Sequence, residues 1–269
     1  MKSVKEVDSS LKKMIKGAQK EKITNLAERI FKIISETPAH PLLDVIESTV
    51  HSLNSNISRI VVTNKDKNEK VASEIKRFVK ETSRELVSHI SSYLRLKSVE
   101  QLPITQFEDL LFDLSFDSIK KLFCSKEENK DKDMEYQFKK LVATDLKKEF
   151  RVIPPKFPAD IEAIFVKSLV ALKGLDKTTT LIKTRAIIDK IQELISQDLS
   201  CAIDQKKLSE LCTDDYINIL AFLLTESHLT NIFGILAMIE GFKNDSDDTS
   251  RFGLSFINLC VGAKTLSTM

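Results

Sequence analysis

The chain has 269 residues, 42% hydrophobic and 30% charged, with a formal net charge of +2. That length buries a full core, and that near balance excludes a strong overall field for nucleic acid. Six glycines and six prolines are too few for the many turns of an all-β fold, so the expected class is all-α.

Residues 1–36 carry helical spacing, with Val4, Val7, Leu11, Met14 and Ala18 in heptad register and Ile23, Leu26, Ile30, Ile33 and Ile34 continuing the face. Seven lysines stand against three acids in the first 22 residues. Such a helix lies either on an anionic membrane or in a bundle with its lysines solvated. No Trp or Phe anchors residues 1–22 in lipid, which favours the bundle. Pro38 and Pro41 end this helix, a second is expected over 42–62, the segment from Asn64 is a polar turn, and a third helix runs to about Leu96. Short polar turns between the three predict an N-terminal bundle over 1–100.

After Pro103, residues 105–123 are densely apolar, Ser125–Asp133 is almost wholly charged and reads as a solvated loop, and another helix runs to about Phe150. Pro154, Pro155 and Pro158 are the strongest punctuation in the chain. Helices follow over Ile161–Leu172, Thr180–Ile195 and, shorter, Gln205–Leu211. The segment Cys212–Phe242 is a pair of helices apolar nearly all round, with Asp214 and Asp215 at the head of the first. Helices of that kind sit at the centre of a domain or line a groove. Asn244–Ser250 is an acidic loop and a last helix closes the chain. Glu226 and His228 interrupt the best candidate for a membrane span.

Chemistry-bearing patterns are missing. The four histidines are scattered, without metal-ligand spacing, and no phosphate-cradling glycine loop occurs. Residues Gly174–Thr179 lack the second glycine of such a loop, and Asp245, Asp247 and Asp248 are followed by Ser250 and Phe256 where a calcium loop needs Gly and Glu. Cys124, Cys201, Cys212 and Cys260 read as reduced, mostly buried thiols of an intracellular protein. No cofactor, no metal and no covalent chemistry are expected.

One longer pattern goes further. Phe150–Phe157, Leu175–Lys177 with Leu181, Ile187 and Ile188 after them, Cys212–Ile217 with its two acids, and Phe256–Cys260 occur in the order and spacing of the VPS-nine (vacuolar protein sorting nine) domain. Residues of about 100–269 resemble that family of guanine-nucleotide exchange factors for Rab-five-type endosomal GTPases. The helices at 105–123 and 134–149 resemble the bundle that braces the domain, which sets the expected second domain at 101–269. The resemblance implies a Rab-five-like GTPase as partner and a cytoplasmic protein peripheral on endosomal membranes. It also implies an acidic finger, Asp214, that displaces nucleotide. GTPase contacts are then expected from Asp215, Ile217, Asn218, Leu220, Leu224, Ile232, Phe233, Leu236 and Leu254, with some of Ile217, Leu220, Leu224, Ile232, Phe233 and Leu236 expected to line an open trough near Asp214. Asn218 stands where the family has Pro, and Leu254 where it has the Tyr of its Gly-Glu-x-Gly-Tyr-x-x-Thr segment. Two other readings stay open: a scaffold that binds a GTPase or another partner without exchange, and a bundle with no GTPase link in which Asp214 and Asp215 are only helix caps.

Overall fold

The computed structural model describes residues 3–21, 24–62, 66–142, 164–201, 206 and 212–267, and no strand occurs among them. The fold is all-α, as expected. The Phe150–Phe157 motif, the prolines at 154, 155 and 158, and the expected Gln205–Leu211 helix (Lys206 apart) lie outside the described residues. Two compact units divide the chain: Met1–Val62 with Lys70–Leu122, and Thr63–Glu69 with Phe123–Met269.

The first unit contains α1 (Val4–Glu21), α2 (Leu26–Ser35), α3 (Pro41–Ser58), most of α4 (Asn68–Tyr93), α5 (Ile104–Leu114) and the start of α6 (Phe116–Val142). Ser3 and Glu6 form a reciprocal cap at the head of α1. Residues 1–36 therefore hold two helices with a turn at Thr24–Asn25 between them, rather than one. The apolar face of α1, Val7, Leu11, Ile15 and Ala18, is buried and α1 packs on α2. Pro41 begins α3 instead of ending its predecessor. His40 caps that helix, its Nδ1 accepting from the Leu42 amide at 3.2 Å. Its Nε2 therefore carries the proton and donates to Asp8 at 3.0 Å, tying α1 to the head of α3.

The domain boundary expected at 100/101 falls instead at 122/123. The reason is α5, which packs on α2: Gln106 accepts from the Leu26 amide at 2.6 Å, and the Phe31 and Phe107 rings sit 6.2 Å apart. The dense segment 105–123 is two helices, α5 and the start of α6, broken at Ser115, whose amide turns back to Leu111 and Phe112.

A larger correction concerns Ser125–Asp133. It is the middle of α6, and Lys126, Glu127 and Asp131 are buried. Lys126 is held by Glu127 at 2.8 Å and by Asn68 at 2.6 Å, while Lys130 closes on Glu127 at 2.6 Å. Against burial, which pushes its carboxyl up, those two lysines hold Glu127 below the ordinary glutamate value. Single-residue polarity says nothing of pairing, so a run of charges reads as solvated in the sequence even where the charges are buried against one another.

The second unit is built from the rest of α6 with α7 (Val166–Gly174), α8 (Leu181–Ser200), α9 (Thr213–Ser227), α10 (Ile232–Phe242) and α11 (Arg251–Ser267). Helix α11 packs on α9 and α8, and α7 packs on α8 and α9. Gly262 sets the approach of α11 to α9, since a Cβ there would stand 3.2 Å from the Leu220 Cβ. In α10 every residue except Glu240 is buried. Its head has no cap of its own; Asp131 of α6 supplies one, accepting from the Phe233 and Gly234 amides at 2.9 and 3.4 Å.

Two predictions come from this packing. A Cβ on Gly234 would lie 2.5 Å from the Cys124 Cα, so Gly234→Ala forces helix backbone apart. It should cost about 1–3 kcal/mol, read by urea unfolding. Burial pushes Asp131 up to about 6, from 3.8, against the pull of the two amides and with help from Glu127 and Asp176. A folded-state value above the unfolded one means that this group's contribution is full below about pH 4 and is lost as pH rises through about 6. Asp131→Asn, which keeps an acceptor, should flatten the stability profile between pH 4 and 7 by at most about 3 kcal/mol. An unchanged slope would contradict it.

Candidate functional site

The site grows from the head of α9. Cys212 is extended, and its amide donates to Asp215 at 2.9 Å, with its thiol 3.2 Å from the same carboxylate oxygen. Asp215 is thereby spent as the cap. Asp214, one residue earlier, is exposed and has no side-chain hydrogen bond or ion pair among the described residues. Both acids also stand where a helix dipole favours negative charge. The sequence placed two acids side by side; the structure divides their work.

Beyond its first turn α9 is core. Leu220, Leu224 and Ile232 are fully buried, and Phe233 and Leu236 nearly so at 9% and 5% exposed. Leu220, Leu224 and Ile232 are therefore not available to a partner, and of the residues expected to line an open trough only Ile217, half-buried, and Phe233 and Leu236, which line a hollow, reach an opening among the described residues. The physical reason is the all-round apolar character of the pair: each face left open by one neighbour is covered by another, including α11 over α9. Ile217 and Asn218, nearer the head, remain half-buried.

The exposed apolar surface lies on α11. Phe252, Phe256, Leu259, Ala263 and Leu266 turn inward, while Leu254, Ile257 and Val261 are 53%, 49% and 37% exposed. That outer stripe has spacing i, i+3, i+7 on one helical face. It was missed in the sequence because a helix with both faces apolar gives no amphipathic signal. The inward face could have been recognised from Gly253 and Gly262, small residues where a helix meets its neighbours.

Two hollows flank the stripe. One, of about 440 Å³, lies between α8, α9 and α11 and is lined by Cys212, Thr213, Tyr216, Leu254 and Asn258 among others. Tyr216 and Ser196 share a hydrogen bond at its wall, 3.0 Å long. Arg251 ties α11 to α8 across it, reaching Asp189 at 2.7 Å and Glu193 at 3.3 Å. Hydrogen bonding from that guanidinium holds Asp189 below the ordinary aspartate value. The other hollow, about 290 Å³, has Phe233, Leu236 and Ala237 on its floor and Lys130, Lys243 and Lys264 on its walls. Cys260 lines it too, but burial first, and Glu240 second, push its thiol up to about 12, which makes it unreactive.

The thiols divide unlike the expectation: Cys201 and Cys212 are exposed, Cys124 and Cys260 half-buried. Asp247, part of the rejected calcium pattern, is held instead by the Asn244 amide and by Arg185. Among the described residues no group of three His, Cys, Asp or Glu is placed to hold a metal, and no helix is long and apolar enough to cross a membrane. No protein family, curated protein or solved structure matches this chain.

The division of the two acids predicts a contrast. Asp215→Ala should cost about 0.5–2 kcal/mol as a lost cap. Asp214→Ala should stay within about 0.5 kcal/mol, being a surface change. Urea unfolding of both variants beside the wild type measures it, and equal losses would show that Asp214 shares the capping.

Proposed function

We propose that this chain is a guanine-nucleotide exchange factor for a Rab-five-like GTPase, acting in endosomal traffic through Asp214. The observation that carries the reading is the uncommitted carboxylate of Asp214 at the head of α9, with its neighbour Asp215 already satisfied as the cap. The partner docks on the α11 stripe of Leu254, Ile257 and Val261, which meets the α9 head through the hollow that Leu254 and Thr213 share. This moves the docking surface from the α9–α10 trough to α11.

The mechanism is electrostatic. A bound guanine nucleotide depends on cations around its phosphates. A carboxylate about 4 Å from such a cation is worth roughly 4 kcal/mol at an effective dielectric near 20, before desolvation. Competition of that size speeds nucleotide release by orders of magnitude. No bond is made or broken, so Asp214 needs position and charge alone. Contact with an anionic endosomal membrane, in this reading, runs through the exposed lysines of α1, since its apolar face is buried.

A second reading, a scaffold that binds the GTPase without exchange, is favoured by one observation. Leu254 occupies the exposed place where the resembled family has a hydroxyl-bearing Tyr. A missing interface hydrogen bond weakens binding about ten-fold or more.

Release of a fluorescent guanine nucleotide from a panel of Rab GTPases separates the readings. Exchange predicts release above background by the wild type, abolition in Asp214→Ala at matched melting temperature, and faster release in Leu254→Tyr. Binding without release, unaffected by Asp214→Ala, selects the scaffold.

A further inference from the structure

We infer that α1 is a non-inserting anchor for an anionic bilayer, one that reads the charge density of the lipid surface rather than a particular head group. The inference rests on the membrane contact of the reading above and deepens it, naming the class of lipid and the mode of binding.

The lysines of α1 stand on one line. Lys5, Lys12 and Lys16 fall within about 40° of one another around the helix axis, Lys13 stands about 60° further round, and the line is about 16 Å long. It lies opposite the buried face of Val7, Leu11, Ile15 and Ala18. Lys5, Lys13 and Lys16 are exposed and Lys12 is partly so. None of the four has an ion pair or a side-chain hydrogen bond among the described residues. The acids among the described side chains of α1 are engaged elsewhere: Glu6 accepts from the Ser3 amide at 2.8 Å, and Asp8 accepts from His40 at 3.0 Å. Four like charges are thus left side by side, an arrangement that an anionic surface relieves.

The shape and chemistry of the stripe set the occupant. Helix α1 has no aromatic residue and its apolar face is committed to the core, so no side chain enters the hydrocarbon. It also has no arginine, and arginines and aromatic rings are the groups that fork onto or stack against nucleic acid. Lysines spread along a straight face do not converge on one phosphate. They suit an extended sheet of negative charge, where each adds about five-fold in affinity. Four together give an association constant of about 10³ M⁻¹, below the roughly 10⁴ M⁻¹ of a single myristoyl chain. Helix α1 therefore reinforces a protein contact at the membrane and does not replace one. Ser9 is exposed within the stripe, four residues from Lys5 and Lys13 and three from Lys12. A negative charge at Ser9 opposes three lysines at once.

The test is sedimentation of the full chain with phosphatidylcholine vesicles, with and without phosphatidylserine, and with no GTPase present. Wild type should bind only the vesicles that contain phosphatidylserine, and binding should vanish as salt rises from about 0.1 M to about 1 M. Lys12→Gln combined with Lys16→Gln should weaken binding about twenty-fold, and Ser9→Glu about five-fold, at matched melting temperatures. Lys80→Gln, the same loss of charge in the middle of α4, should leave it unchanged. Vesicles that carry a phosphorylated inositol lipid at equal charge density should bind no more tightly. No binding of the wild type to phosphatidylserine, or wild-type binding in the double lysine variant, overturns the anchor. Binding confined to the inositol lipid overturns the reading of charge density. Retention on single-stranded RNA without vesicle binding overturns the lipid in favour of nucleic acid. Because no GTPase takes part, each of these results stands apart from the nucleotide-release assay that judges exchange.

Discussion

Buried helix heads hold this structure together. The first amides of a helix have no partner within it, and a head that is buried cannot give them to water. In α2, α7 and α10 the residue before the helix supplies no side-chain cap. Each head is satisfied by a polar side chain from another helix: Gln106 of α5 on Leu26, Asp198 of α8 on the Ser168 amide and hydroxyl at 2.9 and 2.8 Å, and Asp131 of α6 on Phe233. These contacts lock helix to helix, because losing one leaves amides buried and unpaired, a larger loss than the hydrogen bond itself contributes.

The same constraint shapes the site. Helix α10 is so apolar that it must be enclosed, and its enclosure fixes α6 at its head through Asp131 and α6 against its side through Gly234. Enclosure of the central pair buries Leu220, Leu224 and Ile232 and leaves α11 as the outer layer over α9. What stays open is the exposed stripe Leu254, Ile257 and Val261, and beside it the head of α9, where capping uses Asp215 and spares Asp214; these are the surfaces on which the proposed partner would dock. Function of this kind needs little from the interior except that it hold two short stretches of surface in fixed relation. Arg251, bridging to Asp189 and Glu193, adds a tie between α11 and α8, though an exposed pair of this sort contributes little to stability.

Much of this was legible in the sequence. Periodicity and the shortage of Gly and Pro determined an all-helical chain, because the 3.6-residue repeat is a local property of the backbone. The head of α9 was legible for the same reason: acids before an apolar helix act over a single turn. The apolar run 213–242 declared itself as a centre, since nothing else can shelter so much hydrocarbon.

What only the tertiary structure decided was pairing and coverage. Whether Lys126, Glu127 and Asp131 meet water or one another depends on Asn68 and Phe233, residues 58 and 102 positions away from their partners. Which of α9, α10 and α11 lies outermost depends on how three apolar helices share their faces, and hydrophobicity has no direction that a sequence can record. The hollow lined by Tyr216, Leu254 and Asn258 exists only because α8, α9 and α11 converge there. Local propensity is written residue by residue, whereas the sign and exposure of a surface are set by what long-range packing leaves uncovered.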